Sequence, residues 1–185
     1  MTALTRRARP LLAGLLMLPA LAAGQQASSP ENPGLAESFG NPDNYTSTTH
    51  GDWERVCEKT GGACIMAQVG KDSLGTPVME MRIRKLPEPR EVEGKKIVAV
   101  VDLLTPLGVL LLPGIELRID DGPVYTANYH LCSEVGCLSR EPLAEDTANA
   151  FKAGGKATVS LVAAAKGEVI ATISLKGFTA AYDAL

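Results

Sequence analysis

Between Ile97 and Leu112 the chain is almost continuously apolar, and this run constrains every other assignment. A membrane-spanning helix needs about 20 mainly apolar residues. This run is shorter, carries Asp102, and contains Pro106 and Gly108, both unfavourable inside a helix. Ile97-Val98-Ala99-Val100-Val101 is apolar on both faces of an extended chain, which predicts a strand buried on both sides and ended by Asp102 and Leu103-Leu104. Val109 to Leu112 is too short to form a long helix before Pro113-Gly114 turns the chain. Ile115, Leu117 and Ile119 then alternate with Glu116, Arg118 and Asp120, the period of two of a strand with one face in the core.

The same period recurs on both sides. Met79, Met81 and Ile83 alternate with Glu80, Arg82 and Arg84 over Val78 to Leu86, and Pro87 to Lys96 reads as an exposed loop. Trp53 to Cys57 and Cys64 to Val69 flank Gly61-Gly62 and predict a hairpin, with Trp53 as a core or seam residue. Asp120-Asp121-Gly122-Pro123 is a turn, too incomplete to be a calcium loop. It returns the chain through Val124 to Leu131, with Tyr125, Ala127, Tyr129 and Leu131 on one face. Pro142 opens a predicted short helix that includes Leu143, Thr147, Ala150 and Phe151 and stops at Gly154-Gly155. Thr158 to Ala164 and Glu168 to Leu175 make a last hairpin, and residues 177–185 form one or two helical turns. The fold class is mainly β: an antiparallel β-sandwich with one or two short helices.

Residues 1–24 carry Arg6, Arg7 and Arg9, an apolar stretch from Leu11 to Ala23, and small residues at Ala20-Leu21-Ala22 and Ala22-Ala23-Gly24. This is the pattern of a cleaved signal peptide. No cysteine lies near the cleavage region, which disfavours a lipid anchor there. Removing three arginines and no carboxylates moves the net charge from −3 to −6. An acidic chain without Lys/Arg clusters disfavours nucleic acid and anionic lipid as partners. Residues 25–49, rich in Ser, Thr, Asn, Pro and Gly, read as a flexible leader, and residues 50–185 as the folded domain. The mature chain is expected to be periplasmic or secreted, without an integral membrane span.

Four cysteines in an exported chain imply two disulfides. The spacings favour Cys57 with Cys64 and Cys132 with Cys137, while crossed pairing, such as Cys57 with Cys132, remains open. A Cys-x-x-Cys redox site is absent from the sequence, and an even cysteine count leaves no thiol over for a protease. His130, Cys132 and Cys137 with another cysteine could be assembled around zinc, but their spacing is not that of paired knuckles. His50 and His130 are the only near-neutral bases, and no nucleophile elbow, metalloprotease helix or phosphate loop accompanies them. No catalytic, cofactor-binding or metal residues are therefore assigned, and no cofactor is expected.

Several landmarks resemble the invasion-associated locus B family of bacterial exported proteins. They are Gly51-Asp52-Trp53 with Cys57 and Cys64; Pro106-Leu107-Gly108-Val109 through Pro113-Gly114-Ile115 to Ile119-Asp120; Cys132-x4-Cys137 with Gly136; and Leu175-Lys176-Gly177-Phe178. His50 departs from the pattern, standing where members commonly have an aromatic residue. The resemblance implies a secreted, periplasmic or surface-associated β-sandwich, a link to host-cell invasion in pathogenic members, no established catalysis, and a structural role for the four cysteines.

The leading expectation is a non-enzymatic envelope protein that binds an unknown protein or envelope partner. One alternative is a hydrolase or metal-dependent enzyme assembled from dispersed residues such as His130 and Asp102; another is a purely structural or stress-related periplasmic protein. Loop-closure entropy gives each local disulfide about 2–2.5 kcal/mol. Replacing Cys132 and Cys137 by Ala is thus expected to lower the melting temperature and leave secretion intact. Equal melting points for variant and wild type would show that this clip contributes little.

Overall fold

The computed structural model describes residues 42–185. The expected signal peptide and the leader up to residue 41 lie outside the described residues. A 3-10 turn at Pro42–Asn44 leads into β1 (Tyr45–His50), β2 (Trp53–Glu58), β3 (Cys64–Lys71), β4 (Pro77–Val92) and β5 (Lys95–Thr105). These are followed by β6 (Ile115–Ile119), β7 (Val124–Ala127), β8 (Tyr129–Ser133) and β9 (Gly136–Ala144). Helix α1 (Glu145–Ala153), β10 (Lys156–Ala163), β11 (Gly167–Ser174) and α2 (Phe178–Asp183) complete the chain.

All strand pairs are antiparallel. They form one sheet in the order β7-β6-β10-β11-β3-β4-β5-β9-β8, with β2 on β3 and β1 on β2 as a flank. Its terminal strands, β7 and β8, are consecutive in the chain and separated by Asn128 alone. The sheet therefore curls until its ends meet, and the two layers of the mainly β fold are halves of one nearly closed barrel. Inside lie Met79, Met81 and Ile83 of β4, Ala99, Val101 and Leu103 of β5, Ile115, Leu117 and Ile119 of β6, and Val159 and Ile173 from the last hairpin. Burying each large side chain among these stabilises the fold by roughly 1.5–3 kcal/mol.

The structure departs from the sequence expectations at five places. Tyr45–Thr49, assigned to the leader, belongs to β1; its residues are nearly all exposed polar ones, so only backbone pairing with β2 marks them as strand. Strand β4 continues through Pro87 and Pro89 to Val92 and turns into β5 through Glu93 and Gly94, both at positive φ as a two-residue hairpin turn requires. The prolines are tolerated because β3 stops pairing with β4 at Ile83 and the β4–β5 register shifts between Lys85 and Arg90. Strand β5 passes Asp102 and reaches Thr105, and its outward residues are half-buried instead of fully covered. The expected single run from Val124 to Leu131 breaks at Asn128, where the chain leaves β6 for β9. Pro142 and Leu143 prolong β9 opposite Val100 and Ala99, so α1 starts only at Glu145. Pro142 lies beyond the part of β9 that β8 covers, where no ladder donor is needed on that side.

The two helices close one end of the barrel over an aromatic cluster. Phe178 stacks on Phe151 and Tyr182 with ring centroids 5.1 and 5.7 Å away, and meets Trp53 edge-on at 5.2 Å. Lys152 of α1 reaches Asp183 of α2 at 2.7 Å, and this hydrogen bond holds the Asp183 carboxyl below its ordinary range. Backbone and side chains then tie Gly51-Asp52-Trp53 to the segment after β11. Asp52 N–H donates to the Lys176 carbonyl at 3.0 Å, Trp53 Nε1 to the Ser174 carbonyl at 2.9 Å, and Ser174 Oγ to Asp52 Oδ2 at 2.7 Å. Gly51 and Gly177 sit against each other at φ 62° and 86°. A β-carbon on Gly177 would overlap the His50 carbonyl.

Gly177→Ala therefore combines left-handed backbone strain with a backbone clash, and is expected to cost more than about 2 kcal/mol in urea unfolding. Gly167→Ala, also at positive φ but with open space around its β-carbon, is expected to cost only about 1 kcal/mol. Equal losses for the two variants would contradict the close packing at Gly177.

Candidate functional site

The four cysteines form the two local pairs. Cys57 joins β2 to Cys64 of β3, and Cys132 joins β8 to Cys137 of β9, with Cα atoms 4.1 and 4.0 Å apart. Each pair is directly opposed across two antiparallel strands. No thiol is left to act as nucleophile or metal ligand.

His130 and Asp102, the residues on which an enzyme would have been built, both meet Arg140, but through different parts of it. Arg82, Asp102 and Arg140 are register partners across β4, β5 and β9 on the outer face. The Arg140 guanidinium donates to both Asp102 oxygens, Nε at 2.6 Å and Nη2 at 2.7 Å. That hydrogen bonding raises the Arg140 pKa above its ordinary value. His130 Nδ1 accepts the Arg140 backbone N–H at 3.2 Å. Neither side chain orients the other, so the base-and-partner relay of nucleophilic catalysis is not assembled by these two groups. A shallow depression of about 330 Å³ on this face touches Asp102, Arg140, Arg82, Arg84 and Glu58, with Arg82 already paired to Glu80 at 2.6 Å. Among the described residues no three His, Cys, Asp or Glu side chains cluster closely enough to hold a metal ion, and no helix is long and apolar enough to cross a membrane.

A different surface stands out at the barrel end opposite the helices. The β3–β4, β5–β6, β8–β9 and β10–β11 connections all leave the sheet there. Leu107, Leu110, Leu111 and Leu112 are exposed in the second of these, Leu112 completely at 100%, and Leu74 and Val135 are each 88% exposed in the first and third. The leucine connection is pinned to the end of β10: Leu110 N–H donates to the Val162 carbonyl at 2.7 Å and Ala164 N–H to the Gly108 carbonyl at 2.8 Å. The apolar tips are thus held in water by a framed backbone.

Beside them opens a groove of about 780 Å³ whose apolar walls include Val78, Val109, Leu161, Val169 and Ile170. Asp72 and Lys166 stand at its margin. Backbone N–H bonding, from Thr76 first and then Leu74, keeps the Asp72 carboxyl below its usual range. The groove is thus apolar along its walls, bordered by exposed leucines, and carries Asp72, Lys166 and Glu168 among its lining residues.

In the sequence these leucines belong to the central apolar run. The signals that separate them were present: Pro106 and Gly108 end the strand, and Leu110-Leu111-Leu112 before Pro113 have no polar alternation. Asp120, read as a turn residue, also does more than expected. Its carboxylate accepts the Gly155 and Lys156 N–H groups at 2.9 and 3.1 Å, clamping the α1–β10 junction to the β6 end.

The family model described as invasion associated locus B (IalB) protein matches residues 53–185. Two curated Brucella abortus proteins, the invasion protein B homologs of strain 2308 and of biovar 1 strain 9-941, are each 32% identical over 139 residues, covering 73% of this chain and 76% of theirs. The crystal structure of invasion associated protein B from Bartonella henselae is similar at TM-score 0.59 and 22% identity, covering 75% of this chain and 94% of that one. That similarity extends to the fold.

The Asp102–Arg140 pair is solvent-exposed on the arginine side. Arg140→Ala is expected to cost less than about 1 kcal/mol in urea unfolding. A loss above about 2 kcal/mol would show that the outer charge ladder carries more of the fold than an exposed pair can.

Proposed function

Because the chain belongs to the invasion-associated locus B family, we propose that it is an exported, non-enzymatic protein of the cell envelope that works by binding a protein or envelope partner. Its setting is periplasmic or secreted, with contact to a host cell as the context in pathogenic relatives. The reading is supported by the signal-like N-terminus, by the disulfides, which belong to an oxidising compartment, and by the names of the Brucella and Bartonella relatives as invasion proteins. The observation that carries it is the gathering of Leu74, Leu107, Leu110, Leu111, Leu112 and Val135 at one end of the barrel. Exposed apolar patches of this kind mark interaction sites. Burying a few such side chains at the centre of an interface supplies much of a binding energy.

Purified mature protein should bind isolated envelopes or cultured host cells saturably. The double variant Leu110→Asp/Leu112→Asp should bind about tenfold more weakly, a loss of about 1.4 kcal/mol, with its melting temperature within a few degrees of wild type. Unchanged binding by a folded variant would sink the assignment of this rim.

A further inference from the structure

Strand β3 meets β11 in the ladder at a single position, Lys71 opposite Thr172. Beyond it β3 ends, while β11 runs on through Ala171 to Gly167, paired only with β10 from Val159 to Ala163. Had β3 continued straight, residues 72–75 would face this stretch. Asp72 diverts them: its Oδ1 accepts N–H groups of Leu74 and Thr76 at 2.9 and 2.8 Å, and its own N–H donates to the Thr76 carbonyl at 2.9 Å. The polar groups of the turn are thereby used locally, and among the described residues the outer edge of β11 has no ladder partner from Gly167 to Ala171.

The groove of about 780 Å³ reaches that edge, where Glu168, Val169 and Ile170 line it in succession, and extends across the barrel mouth to Val109 beside Ala163. Successive strand side chains point to opposite faces, so a cavity touching three in a row lies edge-on. Natural sheets commonly blunt a free edge with a charge. Here the Glu168 carboxylate is turned away, accepting from Ser160 Oγ at 2.8 Å on the neighbouring strand.

We propose that this edge receives an extended polypeptide segment of the partner as an added strand, in the line that β3 vacates. The added strand's alternate apolar side chains enter the groove against Val78, Val109 and Val169. The open edge, at about 3.3 Å per residue, spans about 17 Å and admits roughly five residues. Backbone pairing gives this mode its affinity, and the groove and leucine rim select apolar side chains at every second position. The inference rests on the partner-binding reading for its biological occupant, but its test uses no envelope.

The probe is the synthetic peptide acetyl-Thr-Val-Thr-Val-Thr-Val-Thr-amide, added to the full mature protein, with residue-resolved amide hydrogen exchange as the readout. Two control peptides are N-methylated at alternate residues, one in each register, which removes edge hydrogen bonds and keeps the side chains. Those amides of Glu168 to Ala171 that do not donate to β10 are expected to exchange rapidly in the free protein and about tenfold more slowly with the parent peptide. At least one methylated peptide should give no slowing. The proposal is overturned if these amides are already protected in the free protein, if the parent peptide protects none of them, or if both methylated peptides protect them equally well. In any of those cases envelope binding by the wild type would still stand or fall separately on the leucine variant.

Discussion

The side chain of Gln68 does the work of a missing stretch of ladder. Its Oε1 accepts the Ser174 N–H at 2.7 Å and its Nε2 donates to the Ser174 carbonyl at 3.0 Å, the same two bonds that a neighbouring peptide unit would make. Strand β11 has only one ladder pair with β3, so Gln68, together with the Asp52 and Trp53 hydrogen bonds to Ser174 and Lys176, holds the barrel closed there. The same Nε2 also donates to the Asp52 carbonyl at 2.8 Å, bringing the start of β2 into the join. Removing the Gln68 amide would strip the Ser174 N–H of this acceptor, and a buried polar group left unpaired costs about 1–3 kcal/mol. The packing of Trp53 on Phe178, and of Phe178 under the two helices, presupposes this join.

The barrel has two unlike ends, and the landmarks of the family resemblance divide between them. Gly51-Asp52-Trp53 and Leu175-Lys176-Gly177-Phe178, far apart in sequence, form one contact at the helical end. Their residue types follow from sterics and packing: glycine where two backbones cross, large rings where a sheet opening must be filled. The segment from Pro106 to Pro113-Gly114 lies at the opposite end, with the Cys132–Cys137 clip on a neighbouring connection. Core packing does not explain a fully exposed Leu112. That contrast separates a segment that builds the fold from one that presents a surface.

Strands with one face in the core could be read directly, because Met79-Met81-Ile83 and Ile115-Leu117-Ile119 keep the period of two without interruption. What could not be read depends on partners distant in sequence. The strand character of Tyr45–His50 comes from β2, since its own side chains face water on both sides. Pro87 and Pro142 look like strand breakers until the neighbouring strand is known to stop short of them. The rim leucines have the composition of a core, and only the place where the barrel ends makes them surface. His130 and Asp102 illustrate the converse: sequence could name them as polar candidates, but not that Arg140 lies between their roles.

The last hairpin has a position that matters before the protein is finished. Strands β10 and β11 are inserted between β6 and β3, so the cylinder has a gap two strands wide until residues 156–174 arrive. A partial chain lacking them would expose the interior of its sheet and two unsealed flanks, a state prone to sticking and cleavage. The C-terminal segment is therefore the keystone of assembly. A stop codon ahead of residue 156 would leave an arc that cannot close.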